Sequence, residues 1–118
     1  MVRAARGAIR IPDDTKDAVL DATERLLREM LERNGLGPDN LVSVFFTATD
    51  DLTSVFPAEA ARRIGLSSVP LLCAREMAVR DAMSSVVRVL MHFHSDRGLS
   101  EVEHVYLDGA QALRDDIG

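Results

Sequence analysis

The chain has 118 residues, of which 47% are hydrophobic and 28% charged, with a formal net charge of −5. That length fits one domain around a single modest core and excludes a two-domain nucleotide-dependent enzyme. The acidic balance argues against an electrostatic nucleic-acid binder, and no run reaches the roughly 18 apolar residues that a membrane span requires.

Residues 2–11 alternate as a strand does: Ala5, Gly7, Ile9 and Ile11 share one face, and Val2, Ala4, Arg6, Ala8 and Arg10 share the other. Pro12-Asp13-Asp14-Thr15 ends the strand and opens a helix, with Asp14 or Thr15 as the N-cap. That helix is predicted to run to about Asn34, because Val19, Ala22, Leu26, Leu27, Met30 and Leu31 recur at three- and four-residue steps. Asp21 with Arg25, Glu24 with Arg28, and Glu29 with Arg33 are acid-before-base pairs suited to an exposed helical face. Gly35 supplies the left-handed stop and Gly37-Pro38 prevents resumption.

Residues 41–48, rich in Val and Phe, read as a buried second strand. Pro57 opens a short helix over 57–64 that Gly65 closes. Strands are expected over 69–75, 86–93 and 102–107, the second of these with Val87, Val89, Met91 and Phe93 on one face and Arg88, Leu90, His92 and His94 on the other. A final segment, 110–114, precedes an acidic end. The order β-α-β-α-β-β-β implies an α+β fold: one domain over 1–118, with a mixed five-stranded sheet and a long and a short helix on one face. The other face would carry arginines among small and apolar side chains, which suits contact with another subunit better than bare exposure to water.

One cysteine, Cys73, excludes an internal disulfide framework and a cysteine-based zinc site. With no apolar leader among the first residues, the expectation is a cytoplasmic protein in a reducing setting. Of 14 cationic residues, 13 are arginines and Lys16 is the lysine. Arginine offers a planar fork of donors matched to carboxylate or phosphate. Arg6 lies within Ala-Ala-Arg-Gly-Ala, Arg88 within Val-Val-Arg-Val-Leu-Met, and Arg62 on the short helix. A guanidinium inside an apolar strand is partly desolvated and calls for an anionic partner, either a protein carboxylate or a bound ligand. Any one of them could snorkel at a strand edge, whereas several on one sheet face point to a bound anion.

Glu76, at the end of the third strand, could accept a ligand hydroxyl or pair with an arginine. Cys73 reads as packing, since no histidine near it in sequence could serve as its base. His92 and His94 lack an evident third ligand, so no metal is assigned, and His104 gives no separate signal. Phosphate-binding glycine loops and nucleophile elbows are absent.

Six strings taken together resemble the monofunctional α/β-type chorismate mutases. They are Arg3-Ala4-Ala5-Arg6-Gly7-Ala8, Phe46-Thr47-Ala48-Thr49-Asp50-Asp51-Leu52, Phe56-Pro57-Ala58-Glu59-Ala60-Ala61-Arg62, Val69-Pro70-Leu71-Leu72-Cys73-Ala74-Arg75-Glu76, Val87-Arg88-Val89-Leu90 and His104-Val105-Tyr106-Leu107. Each is weak alone, but they run in unbroken order across nearly the whole chain. The resemblance implies the Claisen rearrangement of chorismate to prephenate, in phenylalanine and tyrosine biosynthesis, without a cofactor. It also implies a homotrimer closing into a pseudo-α/β barrel, with active sites between subunits.

The resemblance further implies roles. Arg6, assisted by the Tyr106 hydroxyl, would bind the side-chain carboxylate. Arg88 would reach the ether oxygen and the same carboxylate, and Glu76 with the Cys73 thiol would hold the ring hydroxyl. Phe56, Ala58 and Arg62 would come from the neighbouring subunit, and Leu113 and Arg114 would help cover the site. Glu59, Leu72 and Asp81-Ala82-Met83 depart from or vary within the family pattern, and none of these touches Arg6, Glu76, Arg88 or Tyr106. Two other readings use the same arginines: a non-catalytic module binding an aromatic amino acid or related carboxylate, and a structural trimer with arginine–carboxylate pairs across its interface.

Overall fold

Alternation in the first strand and helical periodicity after it set up the two layers. In the computed structural model, which describes residues 1–113, β1 (Val2–Arg10) leads into α1 (Lys16–Arg33), β2 (Leu41–Ala48) and α2 (Ala58–Arg63). Then follow β3 (Leu71–Arg75), β4 (Val86–His94) and β5 (Val105–Leu107). The sheet order is β3-β2-β4-β1-β5. β4 runs antiparallel to both β1 and β2, while the outer pairs β1–β5 and β2–β3 are parallel. This is the mixed five-stranded sheet expected.

The helices cover one face. Ile9, Val44, Phe46, Met91 and Phe93 of the sheet pack with Val19, Leu26, Leu27 and Met30 of α1 in the main core. At Gly7 the helix comes so close that an added Cβ would stand 2.4 Å from Met30 Sδ, so only glycine fits without displacement. A smaller cluster lies on the opposite face, where Ala8, Val86 and Tyr106 are covered by Ala110 and Leu113.

Thr15 is the N-cap of α1, its Oγ1 accepting the Ala18 N–H at 3.2 Å. Asp14 instead accepts the N–H groups of Thr53 and Ser54, bracing the loop that follows β2. Gly35 adopts φ +63° and ends the helix as expected. Two of the three helix pairs form, Arg28 with Glu24 at 3.0 Å and Arg33 with Glu29 at 2.9 Å. The third does not: Asp21 pairs with Arg63 of α2, and Arg25 with Asp108 beyond β5. Tertiary partners outcompete the local one because an exposed i,i+4 pair contributes only about 0.3–0.5 kcal/mol.

Two strands start later than the sequence predicts. β3 begins at Leu71 rather than Val69, because Val69 N–H closes a turn onto Leu66 O and Pro70 has no N–H to offer a ladder. β5 begins at Val105 rather than Val102, because side chains take the place of its ladder. The buried Asn34 amide donates to Glu103 O and accepts from Glu103 N, both at 2.9 Å. His104 Nδ1 accepts the Arg6 N–H at 3.0 Å.

Candidate active site

Register decides what meets on the uncovered face. Ala8 stands opposite Arg88 on one side and Tyr106 on the other, and Arg88 stands opposite Thr47. Thr47, Arg88, Ala8 and Tyr106 therefore form one row across four strands. Strands lie about 4.8 Å apart, so the row extends over roughly 14 Å. The next row holds Leu72, Phe45, Leu90 and Arg6, which places the Arg6 side chain one pleat from Arg88 on the same face. Glu76 follows β3, and its N–H is held by Ala48 O at 3.0 Å, so its carboxylate reaches the Thr47 end of the first row.

These residues line a cavity of about 360 Å³, within the size range of small-molecule sites. Its charged and polar groups are Arg6, Arg88, Glu76, Thr47 and Tyr106, set among Phe45, Leu90 and Ala8. Arg88 Nη1 and Glu76 Oε1 are 3.8 Å apart, with side chains 29% and 26% exposed. That is an ion pair by proximity, yet too long for a hydrogen bond. The other Glu76 oxygen, Oε2, accepts the Thr47 hydroxyl at 2.5 Å. The Tyr106 hydroxyl is buried without a hydrogen-bond partner among the described residues. Burying such a group unpaired costs on the order of 1–3 kcal/mol, and a ligand oxygen in the cavity would satisfy it. The arrangement sets Arg88 beside the Glu76 carboxylate, with Arg6 one pleat away and the orphan Tyr106 hydroxyl beyond Ala8 on the same sheet face.

Four of the remaining expected site residues, Phe56, Ala58, Arg62 and Cys73, lie apart from this cavity. Cys73 stands opposite Phe46, whose side chain is buried in the helix-covered core. Its thiol meets the Ala58 N–H and feels the Arg62 charge. Burial pushes the thiol above its ordinary value, and those two neighbours oppose the shift only in part, in keeping with a packing residue rather than a nucleophile. Cys73 and Glu76, expected to share one hydroxyl, thus lie in different groups within a single chain. Arg62 is likewise apart from Arg6 and Arg88, exposed on α2. Ala58 is buried in the core, whereas Phe56 is 72% exposed. Phe56 and Cys73 border a wider hollow of about 630 Å³ at the β2–β3 end of the sheet. Leu113 packs on Tyr106 and Ala8, while Arg114 lies outside the described residues.

His92 meets Ser43 Oγ at 3.3 Å and the edge of Phe45, and no group of three metal-ligating side chains occurs among the described residues. No helix among them is long and apolar enough to cross a membrane.

Comparison with known proteins covers nearly the whole chain. The family model for chorismate mutase type I matches residues 2–117. The chain belongs to the chorismate mutase type I family. It is 50% identical to chorismate mutase AroH of Thermus thermophilus over 118 residues, covering 99% of this chain and 97% of that protein. Identity to chorismate mutase AroH of Bacillus subtilis is 36%, over 99% of this chain and 93% of that protein. A solved chorismate mutase from Clostridium thermocellum superimposes with a TM-score of 0.92 at 42% identity, covering 93% of this chain and 98% of that one.

Around this chorismate mutase cavity, one lining residue, Thr47, and one residue that braces the backbone beside it, His104, were not singled out as site residues from the sequence. Thr47 shares a face with Ser43 and Phe45 by simple alternation, and that signal was available within residues 41–48. His104 had no local signal, since its role is to accept an N–H from a strand 98 positions away in sequence.

Proposed function

We propose that this chorismate mutase rearranges chorismate to prephenate in the cavity of Arg6, Glu76, Arg88 and Tyr106. The observation that carries the assignment of the site is the convergence of two guanidiniums, one carboxylate and a buried orphan hydroxyl on one apolar-walled sheet face. Chorismate carries two carboxylates, a ring hydroxyl and an ether oxygen, and the groups on the sheet are complementary to most of these. Arg6 and Tyr106 take the side-chain carboxylate, Arg88 the ether oxygen, and Glu76 the ring hydroxyl.

The reaction is unimolecular: the ether C–O bond breaks as a C–C bond forms within the same molecule. It needs no nucleophile and no proton transfer. Two effects lower its barrier. Anchoring the molecule at both ends holds the flexible side chain over the ring in the compact reactive conformer. Negative charge that builds on the ether oxygen is met by a guanidinium already in place, in a site of reduced dielectric.

Within this reading the protein is a cytoplasmic homotrimer. Phe56, Ala58 and Arg62 of one protomer close the cavity of the next, and Arg62 meets the ring end of the dianion. Support comes from the exposed apolar residues beside the cavity, Leu72 at 57% and Phe45 at 38%, which a partner subunit would cover. Leu113, packed on Tyr106 and Ala8, adds to the cover. The test is direct: purified protein is mixed with chorismate, loss of the diene absorbance is followed and prephenate is identified as the product. A rate equal to that in buffer refutes the proposal.

A further inference from the structure

A carboxylate and a guanidinium this close, and only about a quarter exposed, ordinarily close into a bidentate pair at roughly 2.7–2.9 Å. Here the gap between Arg88 and Glu76 is 3.8 Å. Two contacts hold Glu76 back: its own N–H on Ala48 O, and the Thr47 hydroxyl on the oxygen remote from Arg88. Thr47 is the β2 residue directly opposite Arg88, so its hydroxyl sits where it can take one Glu76 oxygen and leave the other turned towards the cavity. Among the described residues the Arg88 guanidinium makes no hydrogen bond, and 3.8 Å to Glu76 is its closest approach to a carboxylate.

We propose that Thr47 is a positioning residue that keeps Glu76 from closing onto Arg88, so that both charges stay available to the ligand. This rests on the active-site reading above. If the pair closed, the cation needed at the ether oxygen would be neutralised and the acceptor needed at the ring hydroxyl would be occupied. The ligand would then have to break a charge-assisted pair before binding. A hydroxyl on the β-carbon suits the task because it reaches Glu76 directly from the ladder position opposite Arg88.

The test compares Thr47→Val, which keeps the shape and removes the donor, with Thr47→Ser, which keeps the donor. Each is made in the native chain and in a Glu76→Gln background, and kcat and KM are measured with chorismate. A hydrogen bond to a charged group corresponds to a loss of about ten- to a hundredfold in kcat/KM for Thr47→Val. Thr47→Ser is expected to stay within about threefold of the native chain, and Thr47→Val to cost less than about threefold once Glu76 is already Gln. In a crystal structure of Thr47→Val the Arg88–Glu76 gap closes to hydrogen-bonding distance.

Equal losses for Val and Ser, equal losses in both backgrounds, or an unchanged gap would each overturn the proposal. Failure of the underlying reading shows differently, as a native chain without activity or an Arg88→Ala variant with full activity. The crystallographic comparison stands in either case, since it does not depend on turnover.

Discussion

Replacing Arg88 by Ala separates catalysis from folding. The guanidinium lies 3.8 Å from Glu76 in a half-buried position. For a guanidinium about 4 Å from a ligand oxygen, a full charge pair is worth about 4 kcal/mol at an effective dielectric of about 20. Only part of a charge develops on the ether oxygen, so the share lost with Arg88 is about 3 kcal/mol, or at least ~10² in kcat. Stability responds far less. Glu76 keeps its Thr47 partner, and a pair 3.8 Å apart with no hydrogen bond between its members has a net worth of at most about 1 kcal/mol once desolvation offsets the attraction. Arg88→Lys is expected to recover little, because an ammonium cannot present two donors in a plane to the ether oxygen and a carboxylate together. The assay pairs initial rates of diene loss with urea unfolding of the same samples. An Arg88→Ala variant that keeps a third or more of native activity while fully folded refutes the electrostatic account.

Three further outcomes follow from the fold. Gly7→Ala places a Cβ 2.4 Å from Met30 Sδ and 3.2 Å from Leu26 Cδ1, both fully buried, so urea unfolding should show a loss of about 1–3 kcal/mol; no loss would mean that α1 can move off the sheet freely. Asn34→Ala removes the side chain that bonds both the N–H and C=O of Glu103, with an expected loss of about 2–3 kcal/mol and faster amide exchange at residues 103–105 by NMR. The Thr53 N–H holds the Asp14 carboxyl below its ordinary 3.8, and the Thr49 hydroxyl does the same for Asp51. A lowered folded-state value means that the ionised form stabilises the fold. The contribution is complete above the unfolded value and is lost as pH falls through the lowered ones, so unfolding midpoints should hold steady down to about pH 5 and drop below about pH 4. Asp14→Asn should flatten that drop, and an identical slope in the variant would count against the assignment.

The parts of the site that could be read locally were those written in side-chain alternation. Arg6 and Arg88 each occupy a position whose neighbours two away share a face, and that alone placed both on the side of the sheet away from the helices. Glu76 could be placed at a strand end because the strand expected over 69–75 stops just before it. Cys73 was harder. Its face is legible from Leu71 and Cys73, but its company is not, because α2 reaches it from another part of the chain. Asp21 and Arg25 show the same limit: a favourable local pairing pattern was present, and partners from α2 and from the end of β5 replaced it.

The sequence by itself determined the kinds and order of the elements, the long helix with its stop at Gly35, and the two-faced character of the sheet, because periodicities of 2 and 3.6 are local properties of the chain. It also determined the family, since the matched strings run in order along nearly its whole length. Only the tertiary structure decided the strand order, the row that sets Thr47 opposite Arg88 and Ala8 beside Tyr106, and the separation of Cys73 from Glu76. It alone decided where Asn34 and His104 replace the backbone ladder. Those features depend on pairings between residues far apart in sequence, and register between distant strands leaves no periodic trace in either one.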